Sequence, residues 1–231
     1  MLQQTQVERV EKKFPEFIGR FPSLEALASA PLSDLLSCWQ GMGYNRRALA
    51  LKRCAAILVD EYDGSFPRDT KTLATLPGIG PATAASFAAF AFNEPVVFIE
   101  TNIRRVFIHY FFPYTESVPD ASIIPLAEKA LYRKNPRVWY WSVMDLGTAL
   151  RMQFPNPNRR STHYSRQTPF FGSEREIRGA LLREGLQHPG IHRVDLIKKT
   201  GAGSGRVQRL LDGLVAEGFL KYYGETVVPG D

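Results

Sequence analysis

Through the first 150 residues, hydrophobic positions recur at spacings of three and four, the repeat that lines one face of a helix. Val7, Val10, Phe14 and Phe17 begin the series, and Pro15 is expected to break or kink it. Ser23 is the expected cap of a segment ending near Ala30, and Pro31 opens a helix that stops at Gly41. Arg46 to Tyr62 follows with Leu49, Cys54, Ile57 and Leu58 inward, closed by Asp63-Gly64. A short helix over Thr70 to Leu76 and an alanine-rich one over Pro81 to Phe92 come next. Thr101 is the expected cap of a helix running to Phe111 and Asp120 of one running to Leu131, while Pro136 opens one to Ala149. No strand pattern and no repeat interrupts this all-α stretch.

Beyond it the pattern changes. Phe154-Pro155-Asn156-Pro157-Asn158 is too rich in proline for regular structure, which makes 151–172 a linker between a helical domain at 1–150 and a second domain at 173–231. Ser173-Glu174-Arg175-Glu176 reads as a capping box before a helix with Ile177, Leu181 and Leu182 apolar. A short helix covers about Arg193 to Lys199. Ser204 is the expected cap of a third, with Val207, Leu210, Leu211, Leu214 and Val215 on one face. Phe219 to Val228 then reads as a hairpin. Three helices and a hairpin form a small winged-helix-like α+β domain, whose third helix turns Arg206, Gln208 and Arg209 outward toward phosphates or base edges. Such a domain equally serves protein contacts.

Composition narrows the class. With 44% hydrophobic and 23% charged residues, the 231-residue chain is that of an ordinary globular protein. No apolar run reaches a membrane span, and the polar start from Met1 to Gln6 lacks the layout of a secretory signal, so a cytoplasmic protein without a membrane partner is expected. Only Cys38 and Cys54 are present, and the four histidines are scattered. That excludes a four-cysteine metal or iron–sulfur site built by this chain and gives no disulfide framework, so no metal is expected. The net charge is +6. No acid occurs between Asp145 and Glu174, where Arg151, Arg159, Arg160 and Arg166 fall beside His163, Tyr164, Phe170 and Phe171. A polyanion partner and a merely solvated basic loop are equally good readings of that stretch.

The most specific local feature is Leu76-Pro77-Gly78-Ile79-Gly80-Pro81-Ala82-Thr83, set between two helices. Two glycines in a four-residue turn let backbone N–H groups converge outward, and Pro81 starts a helix whose positive end faces the same way. Such a hairpin can hold a phosphate without reading sequence, although turn chemistry alone also produces it. Glu100-Thr101-Asn102-Ile103-Arg104-Arg105 places an acid directly before a helix, either near that phosphate or as a stabilising helix-end charge.

These segments resemble the helix-hairpin-helix (HhH-GPD) DNA glycosylases of the endonuclease III and adenine DNA glycosylase type. The likeness runs from Met1 to about Phe107, through Met1-Leu2-Gln3-Gln4-Thr5-Gln6-Val7, Trp39-Gln40-Gly41-Met42-Gly43-Tyr44 and the Leu76 to Gly80 hairpin. It resumes at Met144-Asp145-Leu146-Gly147. The resemblance implies a two-lobed all-α helix-hairpin-helix domain with a DNA cleft between lobes, acting on double-stranded DNA that carries a mispaired or damaged base. It places Gln3, Gln4, Thr5 and Tyr44 in or beside the gap left by a flipped nucleotide. Pro77, Gly78, Ile79, Gly80 and Thr83 would anchor the backbone, with a monovalent cation at Gly78 and Gly80 as the one ion left open. Asn102 and Arg104 would contact DNA beside the acid, as would Arg159 and Arg160 in the basic segment and Arg206 and Arg209 in the last domain. Glu100 takes the position that offsets the sugar cation formed as the base leaves.

Four departures from the family pattern shape the expected activity. The cation-offsetting position is usually aspartate. The family's second catalytic acid lies two residues before Met1, outside this chain, where the domain's first helices are also expected. The iron–sulfur loop after Met-Asp-Leu-Gly has no cysteines and is replaced by the arginine-rich segment. Ala82 stands where strand-cleaving members carry a Schiff-base lysine. The expectation is a monofunctional enzyme that, as a monomer, hydrolyses the N-glycosidic bond of a mispaired base, adenine opposite guanine or 8-oxoguanine. The other class is a non-catalytic lesion-binding protein that kept the scaffold.

Overall fold

The computed structural model describes residues 1–166 and 168–230. In chain order the helices are α1 (Val7–Arg20), α2 (Leu24–Ser29), α3 (Leu32–Trp39), α4 (Arg46–Tyr62), α5 (Thr70–Leu73) and α6 (Pro81–Phe92). There follow α7 (Thr101–Phe111), α8 (Asp120–Ala130), α9 (Pro136–Gln153) and a 3-10 turn at Pro157–Arg160. The C-terminal part adds α10 (Glu174–Gln187), β1 (Ile191–His192), α11 (Arg193–Lys199), α12 (Ser204–Ala216), β2 (Leu220–Tyr223) and β3 (Thr226–Pro229). The chain forms two compact units, one of residues 1–65 with the C-terminal part from 168, the other of residues 66–166. This division cuts across the boundary expected near 150; Gln167 in the expected linker and Asp231 at the end of the last domain lie outside the described residues.

In the first unit one hydrophobic core serves both chain segments. Leu35, Leu36 and Trp39 of α3 belong to the same buried cluster as Leu181 of α10, Leu211 and Leu214 of α12, and Phe219. Trp39 is 1% exposed, meets Phe17 edge-on at 5.9 Å and donates its indole N–H to the Gly43 carbonyl at 3.1 Å. The sheet is antiparallel in the order β1-β3-β2, with Tyr222 opposite Val227. β1 is a strand that the sequence pattern did not show. Pro15 does not break α1, because it stands on the exposed side, where water can satisfy the carbonyl it leaves unbonded.

The second unit is built on α7 and α9. Ile103, Phe107, Ile108, Ile123 and Tyr140 are buried together. Tyr140 stacks on Phe98 at 4.3 Å and donates its hydroxyl proton to the Val96 carbonyl at 2.9 Å, pinning the extended segment that leads into α7. Trp141, the next residue on α9, is by contrast 53% exposed. The segment after α9 is fastened by backbone and arginine. The Val118 amide donates to the Arg160 carbonyl at 2.7 Å, and the Thr162 amide to the Val118 carbonyl at 3.2 Å. The Arg160 guanidinium caps the end of α7, on the carbonyls of Ile108 (3.3 Å) and Phe112.

Several expected caps move by one position. Glu100, not Thr101, caps α7; Asp120 and Ser204 are first residues of their helices rather than caps. Ser23 and Ser173 cap α2 and α10 through their hydroxyls. Because α10 and α12 share their core with α3, Leu211→Ala should cost about 2–5 kcal/mol. Hydrogen exchange followed through the unfolding transition should show α1 to α4 and α10 to α12 losing protection together; protection retained in α1 to α4 would refute a common core.

Candidate active site

Glu100 sits at the N-terminal end of α7 because the chain arrives there extended (φ −119°, ψ 178°) and turns helical at Thr101. Its Oε1 accepts from the amides of Asn102 at 2.6 Å and Ile103 at 2.7 Å, two of the donors that a helix start leaves unpaired. Burial pushes the Glu100 carboxyl above the ordinary carboxylate value; the Ile103 and Asn102 amides and the charges of Arg105 and Arg104 pull the other way. The group is therefore a held carboxylate with a raised proton affinity at the positive end of a helix, equipped to offset a cation or to exchange a proton.

Three neighbours fix that turn. Arg105, 3% exposed, donates from Nη1 to Asn102 Oδ1 at 2.6 Å and to the Gly147 carbonyl at 2.7 Å. Gly147 lets α9 press against the turn: a Cβ there would stand 2.4 Å from the Asn102 carbonyl oxygen, so only glycine fits. Asn158, from the 3-10 turn, donates its side-chain amide to the Thr101 carbonyl at 2.8 Å. Sequence reasoning missed Arg105, Gly147 and Asn158 as site builders. The Met-Asp-Leu-Gly motif contained Gly147, but its packing partner is 45 residues away. Asp145 is exposed on α9.

The hairpin lies in the same unit. Asp69 caps α5 through the Thr72 amide at 2.8 Å, the Ile79 amide donates to the Leu76 carbonyl at 3.1 Å, and Gly78 adopts φ +75°. Gly80 precedes α6, whose first turn begins with Pro81 and is capped by no side chain. Nothing lies within 4 Å of a Cβ placed on Gly80, so glycine there leaves open approach to the backbone. Pro77 and Thr83 flank these two glycines.

Of the other expected DNA contacts, several are tied down within the protein. Arg104 makes a two-pronged ion pair with Asp120, at 2.7 Å on each arm. Arg160 is on α7 carbonyls as described, Arg206 donates to the Gly172 carbonyl at 3.0 Å, and Arg209 pairs with Glu174 at 2.5 Å. Arg159 is exposed. Among the described residues no group of three or more His, Cys, Asp and Glu is placed to hold a metal ion. No helix there is long and apolar enough to cross a membrane.

In the first unit Gln3, Gln4, Thr5 and Tyr44 come together around Arg47, which sequence reasoning also missed. Its Nη1 donates to the carbonyls of Met1 (2.8 Å) and Gln3, and its Nη2 to Thr5 Oγ1 (2.7 Å), Met42 O (3.0 Å) and Gly43 O (3.1 Å). The guanidinium lies 5.5 Å from the ring centres of both Trp39 and Tyr44. Burial lowers its pKa from the usual arginine value.

Comparison with known proteins follows the same lines. A family model for HhH-GPD superfamily base excision DNA repair proteins matches residues 1–125. The chain is 47% identical over 106 residues to an adenine DNA glycosylase of Mycolicibacterium smegmatis, covering 46% of this chain and 36% of that protein. It is 40% identical over 111 residues to that of Buchnera aphidicola, covering 48% and 32%, and 30% identical over 208 residues to that of Mycobacterium tuberculosis, covering 79% and 66%. The chain thus spans between about a third and two thirds of the length of these relatives. Among solved structures it is similar to a thermostable thymine-DNA glycosylase (TM-score 0.56, 25% identity, covering 63% of this chain and 69% of that one). The fold is also that of an endonuclease III–DNA complex (TM-score 0.58, 22% identity, covering 67% and 72%).

Two outcomes test the site geometry. Lysine cannot reach the five acceptors that Arg47 serves from its planar fork, so Arg47→Lys should destabilise the protein by about 1–3 kcal/mol in denaturant unfolding. A raised carboxyl pKa means that folding is penalised above it and not below the unfolded value. Glu100→Gln should therefore raise the melting temperature most at pH 8, with the gain shrinking toward zero as pH falls past 4.5. A gain independent of pH would remove burial of charge as its cause.

Proposed function

Since the chain belongs to the HhH-GPD superfamily of base excision DNA repair proteins, we propose that it is a monofunctional DNA glycosylase removing adenine mispaired with guanine or 8-oxoguanine. The observation that carries this reading is the Glu100 carboxylate, held at the start of α7 by two amides and raised in proton affinity by burial. Glu100 falls within the residues matched to the family, and the relatives' names supply adenine.

In this mechanism the target nucleotide leaves the duplex stack, because its glycosidic bond is otherwise out of reach. The bond between C1′ and the base nitrogen breaks, the base departs with a proton, and positive charge develops over C1′ and the ring oxygen. The ionised Glu100 offsets that charge from a side chain already oriented, so little reorganisation accompanies the step. Water then adds to C1′ and loses a proton, leaving an abasic site. The acid that protonates the base is assigned by family resemblance to a position two residues before Met1. Ala82 supplies no amine, so strand cleavage by a Schiff base is not expected. The hairpin at Gly78 and Gly80 would hold the phosphate backbone, with a monovalent cation as its only proposed ion. An iron–sulfur cluster is not part of the proposal, because the segment after α9 offers no cysteine ligand. The protein would work as a cytoplasmic monomer on double-stranded DNA.

Single-turnover assays with an adenine:8-oxoguanine duplex test the proposal, using this chain and a form extended upstream to include the second acid. The extended form should give strand breaks only after alkali, and Glu100→Gln should slow it about 100-fold or more. Because the active form of Glu100 is ionised and its pKa is raised, the rate should climb with pH through that pKa. Duplex binding without turnover by either form would instead leave a lesion-binding protein built on the same scaffold.

A further inference from the structure

Each peptide unit that donates to Glu100 carries a carbonyl on its far side, and the two carbonyls meet different neighbours. The Asn102 amide, 2.6 Å from Glu100 Oε1, shares a peptide with the Thr101 carbonyl; the Ile103 amide, at 2.7 Å, shares one with the Asn102 carbonyl. Asn158 donates from Nδ2 to the Thr101 carbonyl at 2.8 Å, whereas the Asn102 carbonyl packs against Gly147. A carbonyl oxygen can accept twice, so the Asn158 bond coexists with the bond that the helix itself makes there. The side-chain amide of Asn158, the 101–102 peptide and the Glu100 carboxylate therefore stand in series.

Asn158 is itself held firmly. Its amide donates to Asn156 Oδ1 at 3.1 Å and its carbonyl accepts from the Ser161 amide at 3.0 Å. Arg160, two residues on, holds the other end of α7 through the carbonyls of Ile108 and Phe112. The Asn158 side chain is 5% exposed, yet its Oδ1 has no hydrogen-bond partner among the described residues. A buried acceptor left unpaired lowers stability, and a leucine of similar size would leave none. Stability alone thus disfavours asparagine at this position; what the amide provides is the bond to Thr101.

We propose that Asn158 is a positioning residue for Glu100, acting through the 101–102 peptide to orient and strengthen the amide that holds the carboxylate. A hydrogen bond to the carbonyl polarises the peptide and makes its N–H a stronger donor. A stronger donor favours the ionised carboxylate, the form that offsets a sugar cation. Asn158 thus opposes burial, which raises the Glu100 pKa. The charges around this carboxylate are Arg104 and Arg105 on α7. Asp120 of α8 pairs with Arg104, His163 lies 3.8 Å from Asp120, and Arg151 of α9 acts on Arg105. Asn158 is neutral, so its replacement leaves every one of these charges in place. The catalytic role rests on the glycosylase reading; the influence of Asn158 on Glu100 can be measured without it.

The test follows the Glu100 carboxyl by carbon NMR in protein labelled at its glutamate carboxyls, with Glu100→Gln identifying the signal. Asn158→Leu keeps the volume and removes the donor, and Asn158→Ala serves where leucine does not fold. In both, the Glu100 titration midpoint should rise by about half a pH unit. The melting temperature of Asn158→Leu should stay within about 3 °C of wild type, because the lost bond and the removed unpaired acceptor offset each other. An unchanged midpoint in the folded variants, or a shift seen only with a large fall in melting temperature, overturns the proposal. In the form extended upstream, the rising limb of the rate against pH should move by the same amount, through kcat with KM unchanged. A limb that stays in place while the carboxyl midpoint moves also overturns the positioning role. Absence of turnover by the extended wild-type form overturns the glycosylase reading instead, and the carboxyl midpoint still decides whether Asn158 acts on Glu100.

Discussion

Contact between the backbones of Gly147 and Asn102 sets how near α9 can come to the first turn of α7, and the rest of the Glu100 site follows from that approach. A single methyl at 147 would meet the Asn102 carbonyl oxygen at 2.4 Å and force the helices apart. With them close, one nitrogen of Arg105 reaches both the Gly147 carbonyl and the Asn102 side chain, and Asn158 reaches the Thr101 carbonyl. The turn is then held from three sides, and its amides point at the Glu100 carboxylate. Burial acts on both charges at once, lowering the pKa of Arg105 and raising that of Glu100, while their mutual attraction opposes each shift. A charge kept in such a place lowers stability, a cost usual for a group positioned for chemistry.

Arg47 plays the corresponding part in the first unit by a different device. Loops 1–6 and 40–45 contain almost no buried apolar side chain of their own, and their carbonyls converge on one guanidinium. The planar fork of donors makes one side chain sufficient where several would otherwise be needed. It also explains how Gln4 and Tyr44 persist in left-handed conformations: the loops are over-determined by bonds elsewhere.

Positive charge is distributed less freely than a net +6 suggests. Arg104 is paired with Asp120, Arg160 with the end of α7, Arg206 with Gly172 and Arg209 with Glu174. The exposed Arg209–Glu174 pair contributes little to stability and can exchange its carboxylate for a phosphate, whereas Arg104 and Arg160, partly buried and bonded to fixed groups, serve the fold. In the α12 helix, read from sequence as the element presenting Arg206 and Arg209 to DNA, the apolar face is committed to the core shared with α3.

The helical character of the chain, the hairpin with its two glycines and the position of an acid ahead of α7 were all legible in the sequence, because helix periodicity, capping and turn chemistry act over a few residues. Even so, the cap proved to be Glu100 rather than Thr101, since a glutamate's length lets it fold back on amides that the shorter side chain was expected to serve. Pro15 misled because its effect depends on which side of the helix faces water. What no local rule could supply is which of two adjacent arginines turns inward: Arg105 is buried while Arg104 reaches Asp120, and Arg47 rather than Arg46 gathers the loops. Nor could it show that the last 60 or so residues share a core with the first 65. Those outcomes belong to the tertiary structure, because burial of a charge or an apolar face is decided by groups far along the chain that only the fold brings near.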